Sequence, residues 1–314
     1  MKQFIKVWQL PILFSFILLF FINISLYGQE TAKDLFNRGY RYLTVDKQKA
    51  ISLLTQSIDL DPNLTDAYYH RGIAYFKLDN FDKALNDFNK AQSLNPELSI
   101  LWMYKGFAFR NKGNLNDALD SFSNYISLNP TDTSAYSYIL RGKMKYELGD
   151  FDGSIKDYDM AIKLKPFEEK YNYYRFISFY EAKQYKAALK AVTDLIKVNN
   201  DFYGYYFYKG NVFHDMGYYD SAVHMYNVAV IKNYQNADSY FYRAQSYEQL
   251  EKYEKALEDY NTAIVMNDND GSYYSKRGNC KHLMGNKEGA CEDWNQAGNL
   301  GYYEDFEKVK RVCE

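Results

Sequence analysis

The sequence predicts an all-α solenoid of eight helix-turn-helix units, and three observations lead there. A small residue recurs at Gly39, Gly72, Gly106, Gly142, Gly210, Ala244 and Gly278, at steps of about 34 residues, with Phe176 standing in the series where a small residue is due. A second small series runs beside it, at Ala50, Ala84, Ala118, Ser154, Ala188, Ala222, Ala256 and Ala290. The chain of 314 residues is 47% apolar with only 5 prolines, which suits helices separated by short turns. Self-similarity at this period means stacked units that touch only their neighbours, not a globule around one buried site. Binding over an extended surface is therefore expected ahead of catalysis.

The chain begins with a different composition. Lys2 and Lys6 precede an apolar stretch that is purest between Leu10 and Ile22. Residues 1–28 read as a secretory signal peptide, cut after the small Gly28 so that the mature chain starts at Gln29. This predicts an exported protein, periplasmic or secreted, with no stable membrane insertion. The alternative is an uncleaved membrane anchor. Pro11, Ser15, Asn23 and Ser25 interrupt the run, whereas a spanning helix wants about 20 apolar residues.

Residues 31–304 carry the eight units. In residues 65–98, Thr65 or Asp66 can cap a helix, because a short side-chain oxygen accepts from free backbone N–H groups. Tyr68, Gly72 and Tyr75 then share one helical face. Asp79-Asn80 breaks the run, and Phe81, Ala84, Leu85, Phe88, Ala91 and Leu94 form a second amphipathic helix ending at Asn95-Pro96. Two helices joined so tightly lie antiparallel, and Gly72 and Ala84 fall where they cross. The first unit keeps Leu35, Gly39, Tyr42, Ala50, Leu54 and Pro62, and the third has Trp102, Gly106, Phe109, Ala118, Phe122 and Pro130. The fourth follows a two-residue insertion at Thr133-Ser134 and has Tyr138, Gly142, Ser154, Tyr158 and Pro166. The fifth departs most: Phe176 replaces the crossing glycine and Asn200 the proline, and a bulky ring there should splay the helix pair. Units six to eight return to the pattern with Gly210 and Ala222, Ala244 and Ala256, and Gly278 and Ala290. Residues 305–314 read as a capping helix with an apolar stripe through Val309 and Val312, needed to cover the last interface of the stack.

This pattern resembles the tetratricopeptide repeat family. The resemblance implies a right-handed superhelix with first helices lining the concave face. It further implies a non-catalytic protein that holds partner peptides or proteins. Members that clamp a terminal carboxylate use Lys, Asn and Arg on the inner faces. Here those places carry Tyr, Phe and Ile, so that ligand is not implied.

No other chemistry stands out. The net charge of −2 leaves no electrostatic footprint for nucleic acid. His70, His214, His224 and His282 have no ligand-type side chain one helical turn further on, so no metal site is expected. Asn267-Asp268-Asn269-Asp270-Gly271 has Met266 where a calcium loop needs its opening ligand, and reads as a turn. Acidic pairs such as Glu168-Glu169 read as solvated helix ends. No cofactor is implied. The three cysteines, Cys280, Cys291 and Cys313, cluster near the end of the chain. In an exported protein they oxidise, and Cys291 paired with Cys313 would staple the terminus, the alternative being three free buried thiols.

The candidate binding residues project inward from the first helices: Tyr69, Tyr104, Tyr136, Tyr173, Tyr174, Tyr180, Phe207, Tyr208, Phe241 and Tyr242. Tyrosine combines a large contact area with few rotatable bonds, which suits a binding surface. The competing expectation is that many of these rings pack between neighbouring first helices. A peptide or protein segment is the expected partner. A glycan is the alternative, because tyrosine rings also fit sugar faces.

Overall fold

The computed structural model describes residues 30–130, 134–304 and 306–313. Residues 1–28 lie outside the described residues, and so does the first residue of the inserted pair at Thr133-Ser134. Among the described residues the chain is helical with no strand. Eight antiparallel pairs follow one another. They are α1 (Ala32–Tyr42) with α2 (Lys47–Leu60), α3 (Thr65–Phe76) with α4 (Phe81–Leu94), and α5 (Ile100–Asn111) with α6 (Leu115–Leu128). Then come α7 (Ala135–Glu147) with α8 (Phe151–Leu164), α9 (Glu169–Glu181) with α10 (Tyr185–Val198), and α11 (Tyr203–Asp215) with α12 (Tyr219–Lys232). The last are α13 (Ala237–Gln249) with α14 (Tyr253–Met266) and α15 (Gly271–Leu283) with α16 (Lys287–Asn299). Two compact units result, one holding the first three pairs and one the other five. Within each, first helices of successive repeats approach one another while second helices pack mainly on first helices. First helices therefore form the inner face of each unit.

The small residues at the crossings have a direct cause. A Cβ on Gly72 would stand 2.5 Å from the Phe88 ring, and one on Gly106 would stand 2.6 Å from Phe122. Gly142 meets Tyr158, Gly210 meets Tyr226 and Gly278 meets Trp294 in the same way. Each glycine thus makes room for a large side chain on the second helix. Phe88, Phe122, Tyr158, Tyr226 and Trp294 are all buried there. The alanine series is fully buried beside them. In the fifth repeat the sizes are exchanged: Phe176 is buried on the first helix, and Val192 stands where the other repeats carry their large residue. That pair packs least closely of the eight, as a ring at this crossing should cause.

A second periodic feature was not anticipated from the sequence. Arg71 Nε and Nη2 donate to the two carboxylate oxygens of Asp87, both at 2.8 Å. Arg141 grips Asp157, Arg243 grips Asp259 and Arg277 grips Asp293 in the same bidentate way, at 2.6–2.9 Å. A third nitrogen reaches the preceding repeat: Arg71 donates to Thr55, Arg243 to Asn227 and Arg277 to Asn261. These aspartates are buried, and the fork satisfies the charges that burial would otherwise penalise.

Local signals set the helix ends. Thr31 and Asp34 form a reciprocal capping box on α1. Asp46, Asn80, Asp150, Asn236 and Asn286 cap later helices through their side chains. The expected cap at Thr65 or Asp66 is corrected: Leu64 holds the cap position of α3 with no side-chain bond, and Thr65 is already helical. The turn inside most pairs places one residue in the left-handed region, at Asp79, Gly113, Gly149, Lys183, Gly217, Glu251 and Gly285.

The end of the chain is shorter than a regular capping helix. One turn, α17 (Phe306–Lys308), runs into a π-helical segment, Val309–Cys313. Cys313 is joined to Cys291 on α16, with Cα atoms 5.8 Å apart. Lys308 Nζ also donates to Asn279 at 2.7 Å. The covalent tie and this bond hold the segment over the last pair. Cys280 is the unpaired cysteine and is buried, and burial pushes its thiol up to about 12.

Candidate partner-binding groove

The inner face is aromatic in both units, and its rings interlock from one first helix to the next. In the first unit Tyr69 meets Tyr104 edge to face, with ring centroids 5.7 Å apart. Tyr104 also lies 5.7 Å from Phe88 and 6.2 Å from Phe76. Tyr69 and Tyr104 are half-buried. His70 sits among Phe36, Tyr40 and Tyr69, and its Nδ1 bonds the Asp66 carbonyl at 2.8 Å. Burial holds this imidazole below its usual value, as it does for His214, whose Nδ1 pairs with Ser246 Oγ. Both histidines are packing groups.

In the second unit the sequence-predicted residues fall into three kinds. Tyr136 and Tyr242 are exposed, at 49% and 36%. Tyr173, Tyr174, Tyr180, Phe207 and Tyr208 are half-buried. Phe241 is buried, wedged against Tyr273 at 4.5 Å and Tyr260 at 5.8 Å, so it supports the face from beneath. Bonds between hydroxyls and polar groups tie neighbouring first helices together. Tyr173 donates to the Tyr208 hydroxyl at 3.1 Å, and Tyr180 donates to Asp215 at 2.6 Å. Tyr174 packs on Tyr158 at 5.7 Å, with the Lys143 ammonium 4.4 Å from its ring centre. Phe207 meets Tyr242 edge to face at 5.4 Å. Each half-buried ring packs on a neighbour and keeps part of its surface open.

The rings converge at one place. Between α9 and α11 a cavity of about 590 Å³ is lined by Tyr173, Phe202, Tyr205 and Tyr208 together with Glu168, Glu169, Lys170 and Asn199. Phe202 and Tyr205 stand edge to face at 4.8 Å, and Tyr173 lies 5.7 Å from Tyr208. The Tyr205 hydroxyl donates to the Glu169 carboxylate. Burial pushes the Tyr173 and Tyr205 phenols up, and the adjoining Tyr208 hydroxyl and Glu169 carboxylate push the same way, so both stay neutral donors. The cavity offers apolar ring surface with a few fixed polar groups, the usual make-up of a recognition pocket. Sequence reasoning missed Phe202, Tyr205 and the acidic pair. Phe202 precedes α11, and Glu168-Glu169 reads as a solvated helix end until the next repeat is placed against it. Among the described residues no group of three or more His, Cys, Asp or Glu side chains gathers as a metal site. No helix among them is long and apolar enough to cross a membrane.

Comparison with known proteins agrees with this architecture. Models of the tetratricopeptide repeat match residues 65–98, 135–168 and 237–270. No curated protein is significantly similar. Among solved structures, a tetratricopeptide repeat protein from Parabacteroides merdae ATCC 43184 is 20% identical, covering 79% of this chain and 96% of that one, with a TM-score of 0.59. The C-terminal part of a TPR repeat-containing protein from Cytophaga hutchinsonii is 17% identical over 74% of this chain and 95% of its own, with a TM-score of 0.62. A chain of the APC/C hetero-tetramer Cut9-Hcn1 is 15% identical over 90% of this chain and 55% of its own, with a TM-score of 0.52. At such identities the likeness is one of fold.

Proposed function

Because the chain belongs to the tetratricopeptide repeat family, we propose that it is a non-catalytic scaffold that holds a peptide or protein segment along its aromatic inner face. The observation that carries this reading is the cavity between α9 and α11. There Tyr173, Phe202 and Tyr208 leave ring surface open over the buried Tyr205, beside the fixed carboxylate of Glu169. Exposed Tyr136 and half-buried Tyr174 and Tyr180 extend the same face within the second unit. An apolar or aromatic side chain of the bound segment would fill the cavity, and its backbone would find the Tyr and Asn199 polar groups.

Export belongs to the same proposal, with Gln29 as the mature N-terminus. The Cys291–Cys313 bond supports it, because such bonds persist in oxidising compartments. Sequencing the N-terminus of the native protein tests this, and recovery of Met1 in the membrane fraction would favour an anchor instead.

The binding reading is tested with the mature chain as bait against a displayed random-peptide library and, in parallel, a glycan array. Retained peptides should lose affinity by about 1–2 kcal/mol for Tyr173→Ala or Tyr208→Ala, while circular dichroism remains that of the parent. Equal affinity in both variants would remove the inner face as the site. Binding confined to the glycan array would replace the peptide by a sugar.

A further inference from the structure

The ladder of arginine–aspartate forks has an empty rung. Arg175 stands one residue before Phe176, in the register of Arg71, Arg141, Arg243 and Arg277. Sixteen residues on, where Asp87, Asp157, Asp259 and Asp293 close the other forks, the chain has Ala191. Arg175 keeps its other contacts: Nη1 donates to Asp159 at 2.9 Å and Nη2 to Asn172 at 3.3 Å. Its Nε, the atom that in each complete fork donates to the aspartate, is buried without a hydrogen-bond partner. Among the described residues it is the one buried side-chain nitrogen or oxygen in that condition.

Beside it is room for the missing group. A cavity of about 250 Å³ is lined by Arg175, Phe179, Ala187, Lys190, Ala191 and Asp194. On the other side of Ala187 a second cavity carries Lys183 and Lys186. The one carboxylate in the first cavity, Asp194, already pairs with Lys197 at 2.8 Å. Lys183, Lys186 and Lys190 therefore give a positive excess around a hole with ample room for a carboxylate and its stem. Leaving a buried guanidinium nitrogen unbonded is costly, and a carboxylate meeting a planar fork is the strongest neutralising contact open to it.

We propose that this cavity between α9 and α10 receives the acidic side chain of a partner protein, whose carboxylate completes the fork that Ala191 leaves open. Lys183, Lys186 and Lys190 favour the approach of an acidic segment. The site lies between a first helix and its own second helix, away from the ring-lined cavity, and does not rest on the inner-face reading.

The test uses the full mature chain and two small probes, N-acetyl-aspartate methylamide and its neutral counterpart N-acetyl-asparagine methylamide. The readout is the Arg175 Nε–Hε signal in ¹⁵N-correlated NMR spectra. The aspartate probe should shift this signal saturably and bind about tenfold or more tighter than the asparagine probe. Ala191→Asp should abolish the response and move the unliganded signal to the position of the four complete forks. Equal action of the two probes, or a response that survives in Ala191→Asp, would overturn the proposal. The two-probe comparison on the unaltered chain decides the matter even if the variant does not fold.

Discussion

Phe176 and Val192 share the core of the fifth repeat with their sizes reversed, the ring on the first helix and the small residue on the second. Elsewhere a glycine faces Phe88, Phe122, Tyr158, Tyr226 or Trp294. One volume is being filled from either side. Phe176→Gly alone should therefore open a cavity and cost about 3–5 kcal/mol. Val192→Phe alone should overpack the crossing by about 1–3 kcal/mol. The double variant recreates the arrangement of the second and third repeats and should recover most of the loss. Urea denaturation of the four proteins gives the coupling energy. Additive losses would show that the two positions do not share one space.

The left-handed turn positions give a second prediction. Lys183 and Glu251 adopt φ of 56° and 55°, where Gly113, Gly149, Gly217 and Gly285 occupy the matching places. A side chain in this region costs about 1–2 kcal/mol, which glycine avoids. Lys183→Gly and Glu251→Gly should each raise stability by about 1 kcal/mol, read as a higher midpoint in thermal melts. A lower midpoint for both would show that side-chain contacts at these turns outweigh the backbone strain.

How much of this was legible follows from what repeats at one fixed spacing. The Gly72–Ala84 spacing and the Phe88 position placed the helix pairs, because each records a contact inside one unit. The Arg71–Asp87, Arg141–Asp157, Arg243–Asp259 and Arg277–Asp293 forks were equally periodic, at sixteen residues, yet went unread. That spacing becomes a contact only once the antiparallel register is known. The exposure of the rings was less accessible still. Phe241 and Tyr242 are neighbours in sequence, but one is buried against Tyr273 and the other open, and the difference depends on which face the following repeat covers. The cavity needed Glu169 and Tyr205 from successive repeats, which no single unit reveals.

The terminal bond gives a third prediction. Cys291 and Cys313 close a short loop, and the sequence separation of 22 corresponds to about 3 kcal/mol of lost chain entropy in the unfolded segment. Because stacked repeats melt locally, Cys313→Ser should act on the end of the array alone. Hydrogen exchange should quicken over α15, α16 and residues 306–313 and stay unchanged over α7 and α8. Mild reduction of the parent protein should reproduce the same pattern. Uniform quickening along the chain would show instead that the array unfolds as one unit.

Alkaline pH gives the fourth. Tyr158, Tyr226 and Tyr260 are buried at the crossings, and burial is the largest cause holding each phenol above the usual value of about 10. Asn211 and Glu248 accept from Tyr226 and Tyr260 at 2.7 Å and 3.0 Å, bonds that only the neutral phenol can make. The folded pKa is raised above the unfolded one, so this stability is fully present below about pH 10. As pH rises further, the unfolded chain releases these protons first. Each pH unit then removes up to about 1.4 kcal/mol per phenol until the folded pKa is passed. Phenolate absorbance should therefore rise in two stages, open tyrosines first and the crossing tyrosines only together with loss of helical circular dichroism. Replacing Tyr226 and Tyr260 by Phe should shift the second stage to higher pH. A single smooth titration near pH 10 with the helices intact would mean that water reaches these hydroxyls and the crossings are not sealed.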